Sequence, residues 1–358
     1  MVPTNARYGC HLSENNPLST NCNKEGYCYI YFSTRIWLQG KEVIPLERPL
    51  IEQQKQIPMS SRVPVEGELK ATWRDYVTVT KPGINVSNLL ATFAGIWLAD
   101  PGSLNLLLVV YTLLGTGLII AGGAVLNNFI DRDIDPIMSR TKERPVAAGR
   151  IHPQTALWMG ILLGLSGMVL LMVLVNPLTA FLGMIGFFVY VFVYSAWLKR
   201  TTPLNTAVGG ISGAVPPMMG WTAVTGTLDP AAWVLFLFMF LWQPPHFYAL
   251  AMRKVEDYRK AGVPMLPVVR GFAITKRQVL LWVIALVPVS ILLFATGVVG
   301  KIYLTLAIVL GTIYLVLAVS GLFVKDNDVW SRRMFFYSLI YLTCMQLAMF
   351  INATGPIV

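Results

Sequence analysis

The sequence predicts an all-α polytopic membrane protein in which nine apolar helices form a bundle, with the N-terminus in the cytoplasm. Three observations lead to this prediction: 55% of the 358 residues are hydrophobic, only 13% are charged, and the apolar residues are grouped in long runs. A bilayer-spanning helix needs about 20 mostly apolar residues, so nine of them leave ample chain for loops. The same composition excludes a disordered chain, a collagen-like repeat and a disulfide framework.

The N-terminal part of the chain differs in composition from the rest. Residues 1–58 are polar and lack the hydrophobic region of a signal peptide. We interpret residues 1–75 as a polar N-terminal extension and residues 76–358 as the transmembrane domain. Met59 opens a second plausible start, so we expect residues 1–58 to precede the true start of the protein.

Nine apolar runs satisfy the length criterion for spanning helices. We expect them at about residues 84–99, 104–130, 156–175, 178–197, 204–224, 231–252, 279–299, 302–324 and 334–353. The fifth run is rich in glycine and contains Pro216 and Pro217. It is therefore predicted to be a kinked helix that packs closely against its neighbours.

The basic residues lie almost entirely on one side of this predicted bundle. The connections after the second, fourth, sixth and eighth helices hold 17 Lys and Arg, whereas the alternate connections and the C-terminal tail hold one, Lys301. By the positive-inside rule the N-terminus and the basic connections face the cytoplasm, and the C-terminus lies outside. We therefore interpret the net charge of +10 as a topology signal and expect no nucleic-acid partner.

Three aspartates lie at the cytoplasmic end of the second predicted helix. Asn127, Asp131 and Asp135 have the spacing i, i+4, i+8 and share one helix face, whereas Asp133 points to the opposite side. Two carboxylates about one turn apart can hold a hard cation such as Mg²⁺, which proteins usually bind through one or two carboxylates together with substrate phosphates, so the pair suits a diphosphate substrate. Acids at a helix C-terminus are destabilising without a cationic partner. The alternative is a solvated, charged loop.

Basic residues follow this acidic segment. A metal ion would neutralise only part of the charge of a diphosphate. The remaining negative charge could be neutralised by Arg140, Lys142, Arg144 and Arg150. Alternatively, these residues only fix the topology of the chain.

The sixth predicted helix runs in the same direction and also ends in charged residues. Lys254 and Asp257 are spaced i, i+3, so Asp257 could contribute to a metal site while Lys254 contacts a diphosphate oxygen. The alternative is an intrahelical ion pair between these two side chains, worth only a few tenths of a kcal/mol.

Two prolines and His246 lie deep within the sixth helix, in the segment 242–247. Polar and helix-breaking residues at such depth usually face a cavity. His246 would lie roughly 16 Å from Asp257 if the helix continued, which leaves room for a large flat substrate below a diphosphate. His246 could be an axial ligand, a proton-transfer group, or a histidine hydrogen-bonded within the bundle.

Taken together, these motifs resemble the intramembrane prenyltransferases of the UbiA superfamily, from about Tyr76 to the C-terminus. The residues that carry the resemblance are 80–82, 127–135, 140–145, 205–206, 213–217, 220–221, 242–247 and 256–269. Members that prenylate quinone precursors have an acid where this chain has Asn128, and a DxxxD pair where it has Lys254 and Asp257. Both departures, and the Pro-Pro-His-Phe segment, are similar to the haem-prenylating branch of the superfamily.

The resemblance implies a UbiA-type bundle that transfers the farnesyl group of farnesyl diphosphate to a vinyl group of haem b, giving haem O. It implies Mg²⁺ as the cofactor, with haem b as a substrate. The metal ligands would be Asp131, Asp135, Asp257 and Asn127, and the catalytic set would add Lys254 and Arg144. The substrate-binding residues would be Asn127, Asn128, Arg140, Lys142, Lys81 and His246.

The resemblance also implies a location and partners. We expect the plasma membrane of a bacterium rather than the mitochondrial inner membrane, because the five acidic residues of 1–58 argue against a transit peptide. Membrane lipid surrounds the chain, and a haem A synthase is a candidate partner.

Two alternatives stay open: the same scaffold could prenylate a quinone or chlorophyll precursor, or the bundle could be a transporter. Transport would favour charges near the membrane midplane, whereas these acids lie at helix ends.

Overall fold

The computed structural model describes residues 18–22, 28–32 and 71–355. Strands β1 (Leu18–Cys22) and β2 (Cys28–Phe32) pair antiparallel, with Leu18 opposite Phe32 and Cys22 opposite Cys28. The expected start at Met59 lies outside the described residues.

Within 71–355 the regular elements are helices, apart from one isolated bridge between Val299 and Ala353. Two 3₁₀ turns, Asp131–Asp133 and Asp135–Ile137, follow α3, and a π-helix, Val189–Leu198, joins α5 to α6. The α-helices are α1 (Trp73–Val79), α2 (Pro82–Ala99), α3 (Leu106–Ile130), α4 (Pro153–Leu174), α5 (Pro177–Phe188), α6 (Lys199–Thr201), α7 (Asn205–Thr225), α8 (Pro230–Arg253), α9 (Val255–Lys260), α10 (Leu266–Ala295), α11 (Lys301–Ser320) and α12 (Asn327–Ile351).

A long helix lies at each of the nine predicted spans: α2, α3, α4, the continuous rod from α5 to α6, α7, α8, α10, α11 and α12. In the part of the chain that the structure describes, seven of these are long and apolar enough to cross a membrane by length and composition. The other two, α2 and α7, do not reach that threshold. The chain is therefore a helical membrane protein, as its composition predicts.

Several helix boundaries differ from the prediction where charged residues flank an apolar run; α12, for example, begins at Asn327 although its span was expected from residue 334. The short helix α1 precedes the first span, and α10 begins at Leu266 although its span was expected from residue 279. Gly271 has a φ of 73°, which lets α10 turn before its apolar part. Hydropathy marks only where a helix enters an apolar phase, whereas the backbone of α10 is already helical at Lys276, whose ammonium donates to the Val324 carbonyl (2.8 Å).

Helices α2 and α7 approach each other backbone to backbone. A Cβ at Gly95 would lie 2.0 Å from the Pro217 carbonyl oxygen, and one at Gly220 would lie 1.9 Å from the Thr92 carbonyl oxygen. Only glycine allows this approach, which is the close packing predicted for the fifth run. Helix α7 also packs against α8 and α5, so it has several helical neighbours in the bundle.

Candidate functional site

The acidic segment after α3 turns two of its carboxylates inward and one outward. Helix α3 ends at Ile130, and the chain continues through the two 3₁₀ turns. The side chains of Asp131 and Asp135 are 0% exposed, whereas that of Asp133 is 58% exposed. The structure therefore separates the three acids as their spacing predicts, although the α-helix itself ends before them.

Each buried carboxylate has a cationic partner. Asp131 accepts a hydrogen bond from the ammonium of Lys199 through Oδ2, while its buried Oδ1 has no hydrogen-bond partner among the described residues. Both oxygens of Asp135 accept from Nη1 of Arg144, at 2.9 and 2.7 Å. These cations balance the acids that a helix C-terminus would otherwise disfavour.

A third cation, Lys81, reaches the same place from the turn between α1 and α2. Its Nζ donates to Oδ1 of Asn127 at 2.5 Å and lies 3.5 Å from the hydroxyl of Tyr190. Burial, and then the neighbouring Arg144 guanidinium, hold the pKa of Lys81 well below its ordinary value. Lys81 also has a φ of 53°, the left-handed region that non-glycine residues seldom adopt.

The two asparagines before the acids have different roles. Asn127 accepts from Lys81 and donates to Oγ of Ser195 at 2.9 Å, so it belongs to the charged cluster. Asn128 donates to the carbonyls of Val79 (3.2 Å) and Ala124 (2.8 Å), and so ties α1 to α3. In this structure Asn128 is a structural link beside the cluster.

The π-helix explains how Tyr190, Ser195 and Lys199 all reach the cluster. In an α-helix, at about 100° per residue, the nine positions from Tyr190 to Lys199 would place these two side chains on opposite faces. In an i→i+5 helix each residue advances by roughly 80°, so nine positions return close to the starting direction. Ser195 lies between them in the chain, and its hydroxyl donates to the carbonyl of Tyr190, five residues earlier, at 2.8 Å. Local π geometry therefore aligns the three polar groups.

The next residue, Arg200, holds the outer side of the same acidic turn. Its guanidinium forms two hydrogen bonds with Asp133, at 2.6 and 2.7 Å, and donates to the Ile130 carbonyl at 2.7 Å. Consecutive residues thus bind opposite sides of the turn, Lys199 inside and Arg200 outside. Sequence reasoning counted both only as topology signals and did not predict Lys199, Tyr190 or Ser195 as site residues.

The second charged segment differs from its expected geometry. Helix α8 ends at Arg253, and Lys254, with φ −120° and ψ 24°, interrupts the helix before α9. Lys254 and Asp257 therefore do not share the face of one continuous helix, and the roughly 16 Å separation of His246 and Asp257 expected on that basis does not apply. Asp257 instead accepts from Oγ of Ser139 at 2.7 Å, which ties α9 to the segment after Asp135.

Three of the predicted basic residues lie at the surface. Arg140, Lys142 and Lys254 are exposed, and over the described ranges none of them forms an ion pair. Their positions are compatible with capturing an anion and also with the topological alternative. Arg150, in contrast, is bonded to Asp75 at 2.7 Å.

His246 is buried within α8, away from the charged cluster in sequence and in its contacts. Its Nδ1 lies 2.8 Å from Oγ of Ser338, and its ring stacks between those of Trp242 (4.9 Å) and Phe335 (4.7 Å). The bundle hydrogen bond that the sequence left open as one alternative is therefore present. The same contacts fix the orientation of the imidazole.

The donor set of the cluster fits a divalent cation together with a polyanion. Two buried carboxylates and the Asn127 amide provide oxygen ligands of the kind Mg²⁺ prefers, and Oδ1 of Asp131 is a buried acceptor with no partner in the part of the chain that the structure describes. Around them lie three cationic side chains, Lys81, Arg144 and Lys199. Among the residues with described positions, no group of three His, Cys, Asp or Glu side chains could hold a metal ion alone. Ligand phosphates would have to complete the coordination.

Comparison with known proteins shows which chains this one is similar to. Residues 88–340 match the model of the UbiA prenyltransferase family. The chain is 50% identical over 285 residues to the protoheme IX farnesyltransferase of Alkalihalophilus pseudofirmus, covering 78% of this chain and 90% of that protein. It is 46% identical over 294 residues to protoheme IX farnesyltransferase 2 of Bacillus subtilis, covering 80% and 94%.

Two solved structures share the fold at low sequence identity. A digeranylgeranylglyceryl phosphate synthase superposes with a TM-score of 0.67 at 18% identity, covering 78% of this chain and 97% of the other. A UbiA homologue from Archaeoglobus fulgidus, bound to GPP and Mg²⁺, superposes with a TM-score of 0.53 at 15% identity, covering 77% and 99%.

Proposed function

Since this chain belongs to the UbiA prenyltransferase family, we propose that it transfers the farnesyl group of farnesyl diphosphate to a vinyl group of haem b, giving haem O and diphosphate. The observation that carries the choice of substrates is the identity of about 50% to proteins named protoheme IX farnesyltransferase, over nine-tenths of their length. The cluster of two buried carboxylates and three basic side chains supports the diphosphate half of the reaction.

Mg²⁺ would be held by Asp131, Asp135 and Asn127, with Asp257 as the carboxylate of the second segment. When bound, the ion would stabilise the negative charge that develops on the diphosphate as the allylic C–O bond breaks. The free Oδ1 of Asp131 supports this assignment, because it is a buried acceptor with no other partner in the described chain. Asp257 is included from the resemblance; in the structure it bonds Ser139.

The cationic side chains act on the diphosphate itself. Arg144, Lys199 and Lys81 would neutralise its non-bridging oxygens, and the burial of Lys199 and partial burial of Arg144 and Lys81 would strengthen these interactions. Lys254, Arg140 and Lys142 are exposed and would attract the substrate from the membrane surface.

When the C–O bond breaks, its electron pair leaves with the diphosphate. The vinyl π bond of haem b then attacks the farnesyl cation, water adds to the resulting cation beside the porphyrin, and a proton is released.

We place this reaction in the plasma membrane of a bacterium, with all nine long helices spanning the bilayer and the N-terminus in the cytoplasm. The support is the 17-to-one distribution of Lys and Arg between alternate connections. The helices α2 and α7 fall below the span threshold, but their glycines allow the close backbone approach that is common between helices in membranes. Haem O would pass to an oxidising enzyme, and we propose a haem A synthase as that partner.

One assay tests the proposed function. Membranes containing the chain are incubated with haem b, farnesyl diphosphate and Mg²⁺, and the products are analysed by mass spectrometry. We expect haem O together with released diphosphate. Absence of haem O, in a preparation that still binds farnesyl diphosphate, would favour the quinone or chlorophyll precursor as acceptor. Absence of both binding and product would contradict a prenyltransferase function.

We also propose that His246 contacts haem b, because it is a buried imidazole oriented by Ser338 and two aromatic rings. Substitution His246→Ala is expected to change the absorbance spectrum of haem b bound to the purified protein. His152→Ala is the matched control, since His152 lies at the N-terminus of α4 and accepts from the Gln154 amide. Identical spectra for wild type and His246→Ala would remove His246 from the haem site.

A further inference from the structure

The short helix α1 has two different faces. Asp75 and Val79 are buried, whereas Trp73 and Tyr76 are exposed. Val79 packs in a small hydrophobic cluster with Val146 and Ile151 of the segment between α3 and α4. The buried face of α1 therefore contacts the segment that contains Arg144.

The polar contact of α1 with this segment is an ion pair. Oδ1 of Asp75 accepts from Nε of Arg150 at 2.7 Å, and Oδ2 accepts from the amide and hydroxyl of Thr72, at 2.9 and 2.8 Å. The Thr72 amide, followed by Arg150, lowers the pKa of Asp75 to about 2. Asp75 is therefore ionised at any pH at which the enzyme would work, and the ion pair is complete.

The other end of the Arg150 guanidinium reaches the neighbour of Arg144. Nη2 of Arg150 donates to the carbonyl of Glu143 at 2.7 Å, and the backbone amide of Arg150 donates to the carbonyl of Pro145 at 2.9 Å. Arg150 thus binds the residues on both sides of Arg144 in the chain. Arg144 in turn forms two hydrogen bonds with Asp135.

The C-terminal end of α1 is fixed to the site as well. The carbonyl of Val79 accepts from Asn128, and two residues later Lys81 bends into the left-handed conformation and binds Asn127. Through its two ends, α1 connects two of the three cations of the cluster. If α1 served only to lead into the first span, it would need neither its contact with Arg150 nor its contact with Asn128.

We propose that Arg150 is a positioning residue that holds Arg144 against the diphosphate. Its guanidinium is fixed by the Asp75 carboxylate and binds the carbonyl of Glu143, the residue before Arg144. This inference rests on the proposed function in one respect, that Arg144 meets the diphosphate of the substrate. Neither Arg150 nor α1 touches the reacting atoms. Their effect is transmitted by the backbone on either side of Arg144.

A double-mutant cycle on substrate binding tests this role. Farnesyl diphosphate is titrated with Mg²⁺, without haem, into wild type, Arg150→Gln, Arg144→Gln and the double variant, with calorimetric detection. We expect each single substitution to weaken binding about tenfold, and the double variant to bind within about twofold of Arg144→Gln. If Arg150 acts on the ligand through Arg144, and not through α1 and Lys81, its loss has no further effect once Arg144 is gone.

Two controls separate positioning from general stability. Arg259→Gln removes an exposed arginine whose ion pair is with Glu256, and it should leave binding unchanged. Arg150→Lys keeps the positive charge opposite Asp75, but an ammonium lacks the second nitrogen with which the guanidinium also reaches the Glu143 carbonyl. This variant should therefore bind farnesyl diphosphate more weakly, with an unchanged Tm. This variant also serves if Arg150→Gln does not fold.

The outcomes are distinct. Additive effects in the cycle, or wild-type binding by both Arg150→Gln and Arg150→Lys, would overturn the positioning role and leave the proposed function intact. A wild-type protein that does not bind farnesyl diphosphate would overturn the proposed function, and the positioning role with it.

Discussion

Substitution Asp131→Asn is expected to lower kcat/KM for farnesyl transfer by about 10³-fold or more, while the protein remains folded in the membrane. Asp131 is fully buried, and one of its oxygens has no partner in the described chain. The amide keeps the shape of the side chain but loses the negative charge that a divalent cation requires. Turnover of haem b by membranes with matched protein levels is the measurement.

Asp133→Asn is the matched control, because it makes the same chemical change two residues away on the exposed side of the turn. Asp133 bonds Arg200 at the surface, and exposed ion pairs contribute only about 0–1 kcal/mol. We expect this variant to retain most of its activity. A wild-type rate for Asp131→Asn would remove the metal assignment, and equal losses in both variants would point to disruption of the turn instead.

The second large effect is expected at Lys199, which binds Asp131 from the π-helix. Lys199→Gln should lower kcat/KM by about 10²-fold, because a buried cation at the diphosphate is lost. The substitution also leaves Asp131 without its charge partner, and breaking a buried ion pair costs about 3–5 kcal/mol. Thermal unfolding of the purified protein, measured together with turnover, separates the two consequences.

The neighbouring residue again provides the control. Arg200→Gln removes an equal charge from the outer side of the turn, where Asp133 is the partner, and it should change activity by less than about fivefold. The double variant Asp131→Asn, Lys199→Gln removes both buried charges, so it should regain stability relative to either single variant but no activity. If Lys199→Gln keeps full activity at saturating and at low farnesyl diphosphate, Lys199 is not part of the diphosphate site.

Much of the bundle could be predicted because the bilayer constrains it strongly. Apolar runs and the distribution of basic residues are properties of composition, and a long helix lies at each predicted span. The inward orientation of Asp131 and Asp135 was also predictable, since the 3₁₀ turns that replace the helix keep both side chains on the inner side.

The parts that were not predicted depend on local departures from α-helical geometry. Lys199 could not be placed from a 3.6-residue period, because ten residues before it form a π-helix. Lys254 and Asp257 do not share the face of one continuous helix, as their i, i+3 spacing had suggested, because Lys254 interrupts the helix before Asp257. The short helix α1 is only seven residues long. Its Asp75 pairs with Arg150, which is 75 positions later in the chain, so no local sequence pattern could predict the contact.

The glycine contacts between α2 and α7 have a consequence for motion. Where their backbones touch, at Gly95 and Gly220, the two helices have no side chain between them that could change rotamer to let one helix slide or roll on the other. This pair is therefore a rigid axis of the bundle. A porphyrin is too wide to enter a closed helix bundle without some helix moving aside, and that opening must occur away from α2 and α7.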